Sequence, residues 1–597
     1  MVLGCRYTLP PVDMAALADL YGDVTGEVTQ DMCVRVLYKK TMETGTPVDN
    51  WHHTTCVELE EGRPTPITVI GMYPETEYQL MHEYVRVVRP QPWDDGYQFT
   101  MTTGPHYIEP SASAPSVLGV QGGESLTYTT REIPKEVAKH IPDVNLNEGV
   151  ITANIENSED EPWLMWATIV MGMGKYVMSF VTDLNGNVVY YIPYYKGVFT
   201  FNPVLSGMIS RPGGRGNWFF DGSGGSSMNP DLTNTVTSQM FAEVDCEGVP
   251  IWSLSIWEIN DILLESGYTE ICEVIGHHDA IRLPNGESIV YAGYGQVDKS
   301  KSEYIETVTM LDYYSKMGKS DVPVPLDYIE TVPLQHFDMI LHFNADHSIK
   351  SVWRAVDHIY MTYEEQDAYS MNVVNYDLPG MGVDPIYCPG MGVDPIYYGD
   401  VSSDRTHMNS LFFDPTDNNL LVSVRSQDSV YKLNWSGDDA MPEGDVMYNL
   451  RDFALYDREY NPIHTYDEGL SLFSHQHCAQ MYSVDGHPDL KVITLFDNSN
   501  TVAMVQRPEE KHHSNAVALL VNEAMQEMVL LFRTPLPEFG FALGTSQALS
   551  NGNFHYHVGV HDAISGEVGL FGTSTTVYEL TPEGEFLYSV EADACVY

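Results

Sequence analysis

Two types of short hairpin signal alternate along most of this 597-residue chain. The first type is a tight turn rich in Gly, Asn and Asp followed by an aromatic strand, at 182–188, 244–252, 343–353, 580–588 and, more weakly, 430–448 and 517–533. The second type falls between them, at 278–286, 409–415, 477–494, 546–553 and, more poorly, 165–181 and 203–222. Two hairpins supply four strands, the content of one propeller blade. Six such pairs over about 460 residues predict a six-bladed β-propeller.

The first part of the chain has different strand signals. Residues 34–38 alternate at period two, which is typical of a half-buried strand. Pro74, Thr76 and Tyr78 follow the Pro-x-Thr-x-Tyr corner of fibronectin-III-like sandwiches, in which the Tyr hydroxyl bonds back to a bend. A Ser-, Pro- and Gly-rich stretch at 110–124 indicates a linker. We therefore expect an all-β protein, with a β-sandwich domain over 1–135 and a propeller domain over 136–597.

The charge balance restricts the possible partners. The chain has 83 acidic and 30 basic residues and a formal charge of −53. Nucleic-acid binding needs a basic face that displaces counterions, and an anionic membrane repels an acidic surface, so we expect neither partner. Hydrophobic residues make up 43% of the chain, which is sufficient for a core. Clustered Arg and His are therefore notable in this sequence, and they predict a neutral or positive funnel within an acidic exterior.

Cysteine spacing and the N-terminus limit other classes. The eight cysteines are widely spaced without a Cys-x-x-Cys pair, which disfavours a zinc ribbon or a dense disulfide scaffold and leaves one or two disulfides open. No basic segment followed by an apolar run opens the sequence, so we expect a cytoplasmic protein; the alternative is a periplasmic or secreted protein whose signal was removed. The uncharged run 162–174 is too short to span a bilayer. A tandem duplication at 379–397, rich in Gly and Pro, predicts a surface loop without a chemical role.

Polar residues recur just before hairpins of the second type. Because propeller blades begin their innermost strands near the central channel, such residues from separate blades converge there. They are His277 with His278, His407 with Asn409, His475 with His477, and Thr545. Arg425 follows His407 by 18 residues, on the next predicted strand. Imidazole, guanidinium, amide and hydroxyl groups at one channel mouth predict an anion-binding site.

Other interpretations of these residues remain open. A single His at a strand start is usually a structural polar residue, and His475 and His477 have the spacing of a metal-ligand pair on one strand face. No carboxylate or Cys recurs with the His-bearing hairpins, so no metal site is predicted there. His512, His513, His555 and His557 lack the repeat register and are expected to be surface or structural residues. Asp279, Asp414 and Asp497 are expected to stabilise turns.

Residues 404–428 resemble the signature block of the bacterial arylsulfate sulfotransferases, through the His407-x-Asn409 pair and Arg425 at its spacing. Further blocks match in the same order, at 277–279, 476–477, 544–547 and 551–553. The resemblance covers most of the chain and includes an N-terminal β-sandwich before a six-bladed propeller. It implies a homodimer, in a family whose members are often periplasmic.

The resemblance also implies roles for individual residues. His477 matches the nucleophile that becomes transiently sulfated, and His278 matches the acid and base at the phenolic oxygen, with His277 as the alternative. The groups expected to hold the sulfuryl oxygens are His407, Asn409, Arg425 and Thr545, with Ser546 as the alternative to Thr545. The implied reaction is ping-pong transfer from an aryl sulfate donor to a phenolic acceptor through a sulfohistidine. It needs no nucleotide sulfate donor, metal or organic cofactor.

Two alternative functions belong to other classes. An aryl sulfate hydrolase would use the same histidine site, with water in place of the phenol. A dry, aromatic-lined pocket favours transfer over hydrolysis. A noncatalytic propeller scaffold would only bind partners, and it would have no need of convergent His and Arg. The chain has no Walker-type phosphate loop, in agreement with a reaction that uses no nucleotide.

Overall fold

The computed structural model describes residues 4–9, 32–41, 51–54, 57–58, 63–86, 120–133, 135–138, 141, 144–147, 164–167, 179–192, 208–209, 217–224, 238–244, 250–268, 272, 274–283, 285–297, 334–359, 406–437, 441, 443–463, 472–484, 486–499, 513–540, 543–549, 552–559 and 574–593. The protein is all-β, with several sheets and almost no helix. The helices described are α1 (Lys135–Ala138), α2 (Ile256–Glu265) and α3 (Ala355–His358). Within these ranges, no helix is both long enough and apolar enough to cross a membrane.

Two sheets share one core at the N-terminal end. Strand β1 (Gly4–Leu9) pairs antiparallel with β5 (Thr65–Ile70). The second sheet has the order β3-β2-β6-β7, with β4 also pairing with β2; its strands are β2 (Met32–Lys40), β3 (His52–His53), β4 (Val57–Glu58), β6 (Glu77–Arg86) and β7 (Val120–Thr129). Buried Leu9, Val36, Val69 and Tyr78 belong to the cluster between the two sheets. Alternate residues of each strand therefore face a common interior.

The predicted corner bond is present. The Tyr78 hydroxyl accepts a hydrogen bond from the backbone N–H of Tyr73 at 2.9 Å, and the ring is buried. Tyr73 donates through its own hydroxyl to Asp183 Oδ2 at 2.8 Å. Asp183 also accepts from the backbone N–H groups of Asn185 and Asn187, and so it caps a turn of the next sheet. The bend before β6 is thereby tied to the sheets that follow.

Six further sheets follow in chain order within the described ranges, and their hairpins are antiparallel. The first three contain β9 (Leu164–Ala167), β10 (Ser179–Thr182) and β11 (Val188–Ile192); β12 (Met208–Ile209), β13 (Asn217–Gly224), β14 (Ser238–Val244) and β15 (Pro250–Ser255); and β16 (Val274–Arg282), β17 (Ser288–Val297), β18 (Leu334–Phe343) and β19 (Ile349–Arg354). The fourth contains β20 (Met408–Asp414), β21 (Asn419–Val424), β22 (Ser429–Leu433) and β23 (Val446–Asn449).

The last two sheets each gain a strand from elsewhere in the chain. The fifth contains β25 (His477–Val484), β26 (His487–Asp497), β27 (Asn515–Asn522) and β28 (Glu527–Pro535), with β24 (Ala454–Tyr456) added in parallel to β28. The sixth contains β29 (Thr545–Ala548), β30 (Phe554–Val558), β31 (Ser574–Leu580) and β32 (Phe586–Asp593), with β8 (Val144–Asn147) added at its edge. Every hairpin predicted from the sequence is an antiparallel strand pair, although the two in the first sheet share β10.

Apolar side chains pack between successive sheets. One cluster each joins the second sheet to the third, the third to the fourth, the fourth to the fifth and the fifth to the sixth. A further cluster joins the sixth sheet back to the first, with Trp166 and Phe180 packed against Tyr588 and Val590. Because β8 precedes the first sheet in the chain but pairs with β32, the two ends of the repeat region are hydrogen-bonded to each other.

Some sequence predictions are only partly addressed by these elements. The duplicated segment 379–397 lies outside the described residues, as does His512. Strand partners change between β7, which ends at Thr129, and β8, which begins at Val144; the domain boundary at 135 stays a prediction. Cys272 and Cys478 are free thiols.

Candidate active site

Three polar stretches meet at the same end of the fourth and fifth sheets. They precede β20, follow β21 and precede β25. Ser410 Oγ accepts from the backbone N–H of Ala479 at 2.9 Å, and Asn409 Nδ2 donates to the Gln476 carbonyl at 2.6 Å. These bonds join the first strands of the two sheets. They bring the segment around His407 beside the segment around His477.

His477 has a defined ring orientation. Its Nδ1 lies 2.7 Å from Asn498 Oδ1 and 3.1 Å from the His475 carbonyl oxygen. Both oxygens only accept hydrogen bonds, so Nδ1 carries the proton of the neutral imidazole and Nε2 carries its lone pair. Burial, reinforced by the positive charge of Arg425, lowers the pKa of His477 to about 3. The ring is therefore a neutral nitrogen base at physiological pH.

Four of the predicted cationic and imidazole groups converge here. Burial holds the pKa of His475 well below its usual value, and the charges of Arg425, His477 and His407 lower it further. The pKa of His477 is lowered by Arg425 and His407 in the same way. A nearby charge shifts the pKa of a group, so these electrostatic effects place the four side chains in one neighbourhood. The backbone N–H of Arg425 also donates to the His407 carbonyl at 3.1 Å.

The backbone around these side chains is strained. His407, Asp428, His475 and Cys478 have φ values of 46°, 47°, 51° and 51°. Non-glycine residues avoid this left-handed region, and holding one there costs about 1–3 kcal/mol. Such residues persist only where neighbouring contacts hold them. Residues of this kind cluster at functional sites.

Buried carboxylates provide these contacts. Asp338 in β18 accepts from Thr406 Oγ1 at 2.7 Å and from the backbone N–H of Met408, and so it fixes both neighbours of His407. Asp428 Oδ1 accepts from the backbone N–H of His475 at 2.7 Å. Burial raises the pKa of Asp428 to about 7. A carboxylate from a preceding strand or turn thus fixes the chain at each His-bearing strand start.

Only one of the two polar side-chain atoms of Asn409 forms a hydrogen bond among the described residues. Its Nδ2 group donates to the Gln476 carbonyl, which fixes the orientation of the amide. Its Oδ1 is buried and has no hydrogen-bond partner among the described residues. A buried acceptor without a donor costs about 1–3 kcal/mol. The Nδ2 group of Asn409 has two hydrogens. One donates to the Gln476 carbonyl, and the other remains for another acceptor.

The structure distinguishes the environments of Thr545 and Ser546. Ser546 is buried, its hydroxyl donates to the Cys478 carbonyl at 2.7 Å, and it lies 2.9 Å from Thr494 Oγ1. Thr545 is partly exposed and begins β29. Successive side chains of a strand point to opposite faces, so the two hydroxyls point in opposite directions. The Ser546 hydroxyl is engaged between the fifth and sixth sheets.

His277 and His278 lie in β16, where the pairing with β17 shifts register between Ile275 and Ala280. Their side chains are outside the described residues. Asp279, expected in a turn, lies instead within this strand. Its Oδ2 accepts from the backbone N–H of Leu411 in β20 at 2.8 Å, so the carboxylate joins two sheets instead of stabilising a local turn. Burial raises its pKa to about 8.

The remaining predicted polar residues are structural where they are described. His555 is buried and lies 2.7 Å from the Tyr588 hydroxyl and 3.1 Å from Glu579. His513 lies 2.7 Å from the Leu536 carbonyl. Asp497 stabilises a turn as predicted, since its Oδ1 accepts from the Ser499 N–H at 2.8 Å.

One described carboxylate cluster has the spacing of a cation site. Its members are Asp414, Asp417 and Glu523. Lys432 Nζ lies 3.3 Å from Asp414, 2.6 Å from Asp417 and 2.6 Å from Glu523. The ammonium group thus offsets part of the cluster's negative charge, and Lys491 Nζ lies 2.8 Å from Asp414 as well. The cluster lies at the far end of β20 from His407.

Sequence reasoning missed several supporting residues. Asn498, Asp428 and Asp338 contact the histidine-bearing segments but lie 21, 47 and 68 or more residues from the groups they hold. Each stands in an ordinary polar stretch at a strand end or within a strand. Only the pairing of distant strands brings them to the site.

The comparisons with known proteins address this region. Residues 329–593 match the family model described as "Arylsulfotransferase (ASST)". The match spans less than half of the chain, so it shows a similarity of this segment to the arylsulfotransferase family. The matched segment contains His407, Asn409, Arg425, His477 and Thr545, whereas His278 precedes it. The match agrees with the resemblance noted in the sequence and supports an arylsulfotransferase activity in general, with aryl sulfate donors and phenol acceptors.

Two solved structures show low similarity. A member of the duf4221 family from Bacteroides vulgatus is 9% identical, with 76% of this chain and 96% of that chain covered and a TM-score of 0.26. The rhamnogalacturonan lyase YesW is 8% identical, with 93% and 70% covered and a TM-score of 0.21. Scores this low do not establish a shared fold. None of the curated proteins searched matches the chain significantly.

Proposed function

We propose that this protein transfers a sulfuryl group from an aryl sulfate to a phenol through a sulfohistidine on His477. The observation that supports the proposal is the protonation state of the buried His477 ring. The ring is buried and neutral, and its proton is held on Nδ1 by Asn498 and the His475 carbonyl. Arg425 acts on it electrostatically. A neutral imidazole beside a fixed guanidinium combines a nucleophile with an anion-binding group.

In the first half-reaction, Nε2 of His477 attacks the sulfur of the bound aryl sulfate. The N–S bond forms as the S–O bond to the aryl group breaks, and the aryl oxygen leaves with the electron pair. A proton from His278, or from His277, neutralises that oxygen and yields the phenol. The ring keeps its Nδ1 proton, so the product on the enzyme is an N-sulfoimidazolium.

The anion-binding groups stabilise the sulfuryl oxygens during transfer. We assign this role to His407, Arg425, the second amide hydrogen of Asn409 and the hydroxyl of Thr545. The positions of the first three, at the ends of β20 and β21 beside β25, support the assignment. Thr545 is favoured over Ser546 because the Ser546 hydroxyl already donates to Cys478. One preorganised donor of this kind contributes about 3 kcal/mol to transition-state stabilisation.

In the second half-reaction, a phenol takes the place of the released product. His278 removes the phenolic proton, the phenolate oxygen attacks the sulfur, and the N–S bond breaks to restore neutral His477. Two successive transfers through one enzyme site give ping-pong kinetics. Attack by water instead of the phenol would make the enzyme an aryl sulfate hydrolase.

The proposal includes the architecture that assembles the site. We infer that the six sheets after β7 form a closed six-bladed propeller. The supports are the apolar clusters that join the second to the sixth sheets in succession, the cluster from the sixth to the first, and the pairing of β8 with β32. The corner bond of Tyr78 supports a fibronectin-III-like sandwich for the N-terminal sheets. By family resemblance we also propose a homodimer.

The test uses 4-nitrophenyl sulfate with and without an added phenol. Acceptor-dependent release of nitrophenol, with a sulfated acceptor seen by mass spectrometry, is expected. Release that does not depend on the acceptor would assign hydrolysis instead. His477→Ala should abolish both turnover and the sulfuryl adduct, whereas His513→Ala, at a histidine bonded to the Leu536 carbonyl, should retain both. Turnover by the His477 variant would overturn the nucleophile assignment.

A further inference from the structure

Asn498 stands directly after β26 and is fully buried. Its Nδ2 donates to the carbonyls of Gly540 at 2.7 Å and Leu543 at 3.0 Å. Two carbonyl acceptors require the nitrogen end of the amide to face them. The oxygen end must therefore face His477, whose Nδ1 lies 2.7 Å from it. The orientation of this amide is fixed by three contacts from two different segments.

We propose that Asn498 is a positioning residue that keeps the proton on Nδ1 of His477, and so directs Nε2 to sulfur, through both half-reactions. The inference rests on the proposed function. Nothing in the sequence resemblance assigns a role to this position. The geometry assigns it, because Asn498 is the side chain that accepts from the atom opposite the proposed reacting nitrogen.

The choice of an amide has a chemical consequence after the first transfer. With sulfur on Nε2, the ring is an imidazolium whose Nδ1 proton bonds to Asn498 Oδ1. An amide oxygen does not take up a proton near neutrality, so the ring stays cationic. When the phenolate attacks, the N–S electron pair returns to the ring, and neutral imidazole leaves. A carboxylate in the same place would take the Nδ1 proton. The leaving group would then be imidazolate, which is far more basic and leaves more slowly.

The amide also matters before the first transfer. A carboxylate beside Nδ1 would favour the imidazolium, as in acid–base triads, and an imidazolium has no lone pair for attack. The charged and titratable groups that face His477 are Arg425, His407 and His475, from the fourth sheet and the segment before β25. Asp428 lies 3.7 Å from His475 Nδ1 and acts on the site through that residue. The His475 carbonyl oxygen lies 3.1 Å from Nδ1 of His477, so the backbone shares this proton with Asn498 Oδ1, which lies closer at 2.7 Å.

The test compares the two half-reactions in Asn498→Asp. Rapid mixing with 4-nitrophenyl sulfate measures the burst of nitrophenol, and later addition of phenol measures discharge of the sulfo-enzyme. We expect the acid limb of the pH profile to move to higher pH, with the nitrophenol burst retained above that limb. Discharge of the sulfo-enzyme should slow at least tenfold, so that the adduct accumulates. Asn434→Asp is the matched control, because this amide is also buried, directly follows β22 and donates to the Met441 carbonyl at 2.7 Å.

A second measurement does not depend on the variant folding. A crystal structure of the wild-type sulfo-enzyme, trapped without acceptor, should carry the sulfo group on Nε2 with Nδ1 still bonded to Asn498. Sulfo on Nδ1 would overturn the inference. Equal slowing of both half-reactions in Asn498→Asp, with the pH profile unmoved as in the control, would also overturn it. If wild-type protein releases no nitrophenol with any phenol acceptor, the proposed function fails instead, which is a different result.

Discussion

Asp428 Oδ1 accepts a hydrogen bond from the backbone N–H of His475 at 2.7 Å, and both residues have φ values near +50°. The bond holds the chain at the point where it enters β25 and turns His477 inward. The carboxyl group is buried, and its pKa is raised to about 7 from an ordinary value of 3.8. The same side chain thus orders the site and makes its stability depend on pH.

Asp428→Asn should remove the contribution of Asp428 to this pH dependence, while the contribution of Asp279 remains. Between about pH 4 and pH 7 the folded protein holds a proton that the unfolded chain has lost, so the free energy of unfolding falls as pH rises through this window. Asparagine keeps an oxygen for the His475 N–H and does not ionise. Urea unfolding measures the fall in the free energy of unfolding from pH 5 to pH 8. This fall should be smaller in Asp428→Asn than in the wild type by on the order of 2 kcal/mol. Asp452→Asn, at an exposed position, is the control; an unchanged loss in Asp428→Asn would contradict the prediction.

Arg425→Gln should weaken catalysis and shift its pH profile. The guanidinium lowers the pKa of both His475 and His477, so its removal raises both values and moves the acid limb of kcat/KM to higher pH. The lost anion stabilisation should reduce kcat/KM about 10²–10³-fold. Arg425→Lys keeps the charge but not the planar fork, so it should reduce kcat/KM with little movement of the limb. Identical profiles for the two variants would argue against an electrostatic role.

Substitution of Thr545 should reduce activity, whereas substitution of Ser546 should reduce stability. Ser546→Ala removes hydrogen bonds to Cys478 and Thr494 and should lower the free energy of unfolding by about 1 kcal/mol while turnover is largely kept. Thr545→Val keeps the shape, removes the hydroxyl and should lower kcat/KM without a comparable loss of stability. Turnover with 4-nitrophenyl sulfate and urea unfolding of both variants test this. The reverse pattern would make Ser546 the residue of the site.

Lys432→Met should destabilise the fourth and fifth sheets. The ammonium group is almost fully buried and pairs with Asp414, Asp417 and Glu523. Removing one partner of a buried ion cluster leaves uncompensated charges and costs about 3–5 kcal/mol. Lys350→Met, at a half-exposed pair with Glu287, should cost at most about 1 kcal/mol. Because the three carboxylates are spaced for a cation, added Ca²⁺ should restore part of the loss in Lys432→Met, as read by thermal unfolding.

Hairpin signals in the sequence located the strand pairs because turn chemistry and alternation act over a few residues. The same local signals identified His407, Asn409, Arg425 and His477 before their positions were known. Asp279 shows the limit of such reasoning. A polar residue after two histidines predicts a turn, yet the Asp279 carboxylate accepts a hydrogen bond from Leu411 in the next sheet. The register of distant strands sets this contact.

From the sequence alone came the all-β class, the two hairpin types and the kinds of side chain at the strand starts, since these depend on composition and short-range pattern. The state of His477 was decided only by the tertiary structure. Its neutrality comes from burial and from Arg425, and its proton position comes from Asn498 and from the His475 carbonyl. Imidazole chemistry depends on which nitrogen holds the proton, and that follows from neighbours brought together by sheet packing rather than by order along the chain.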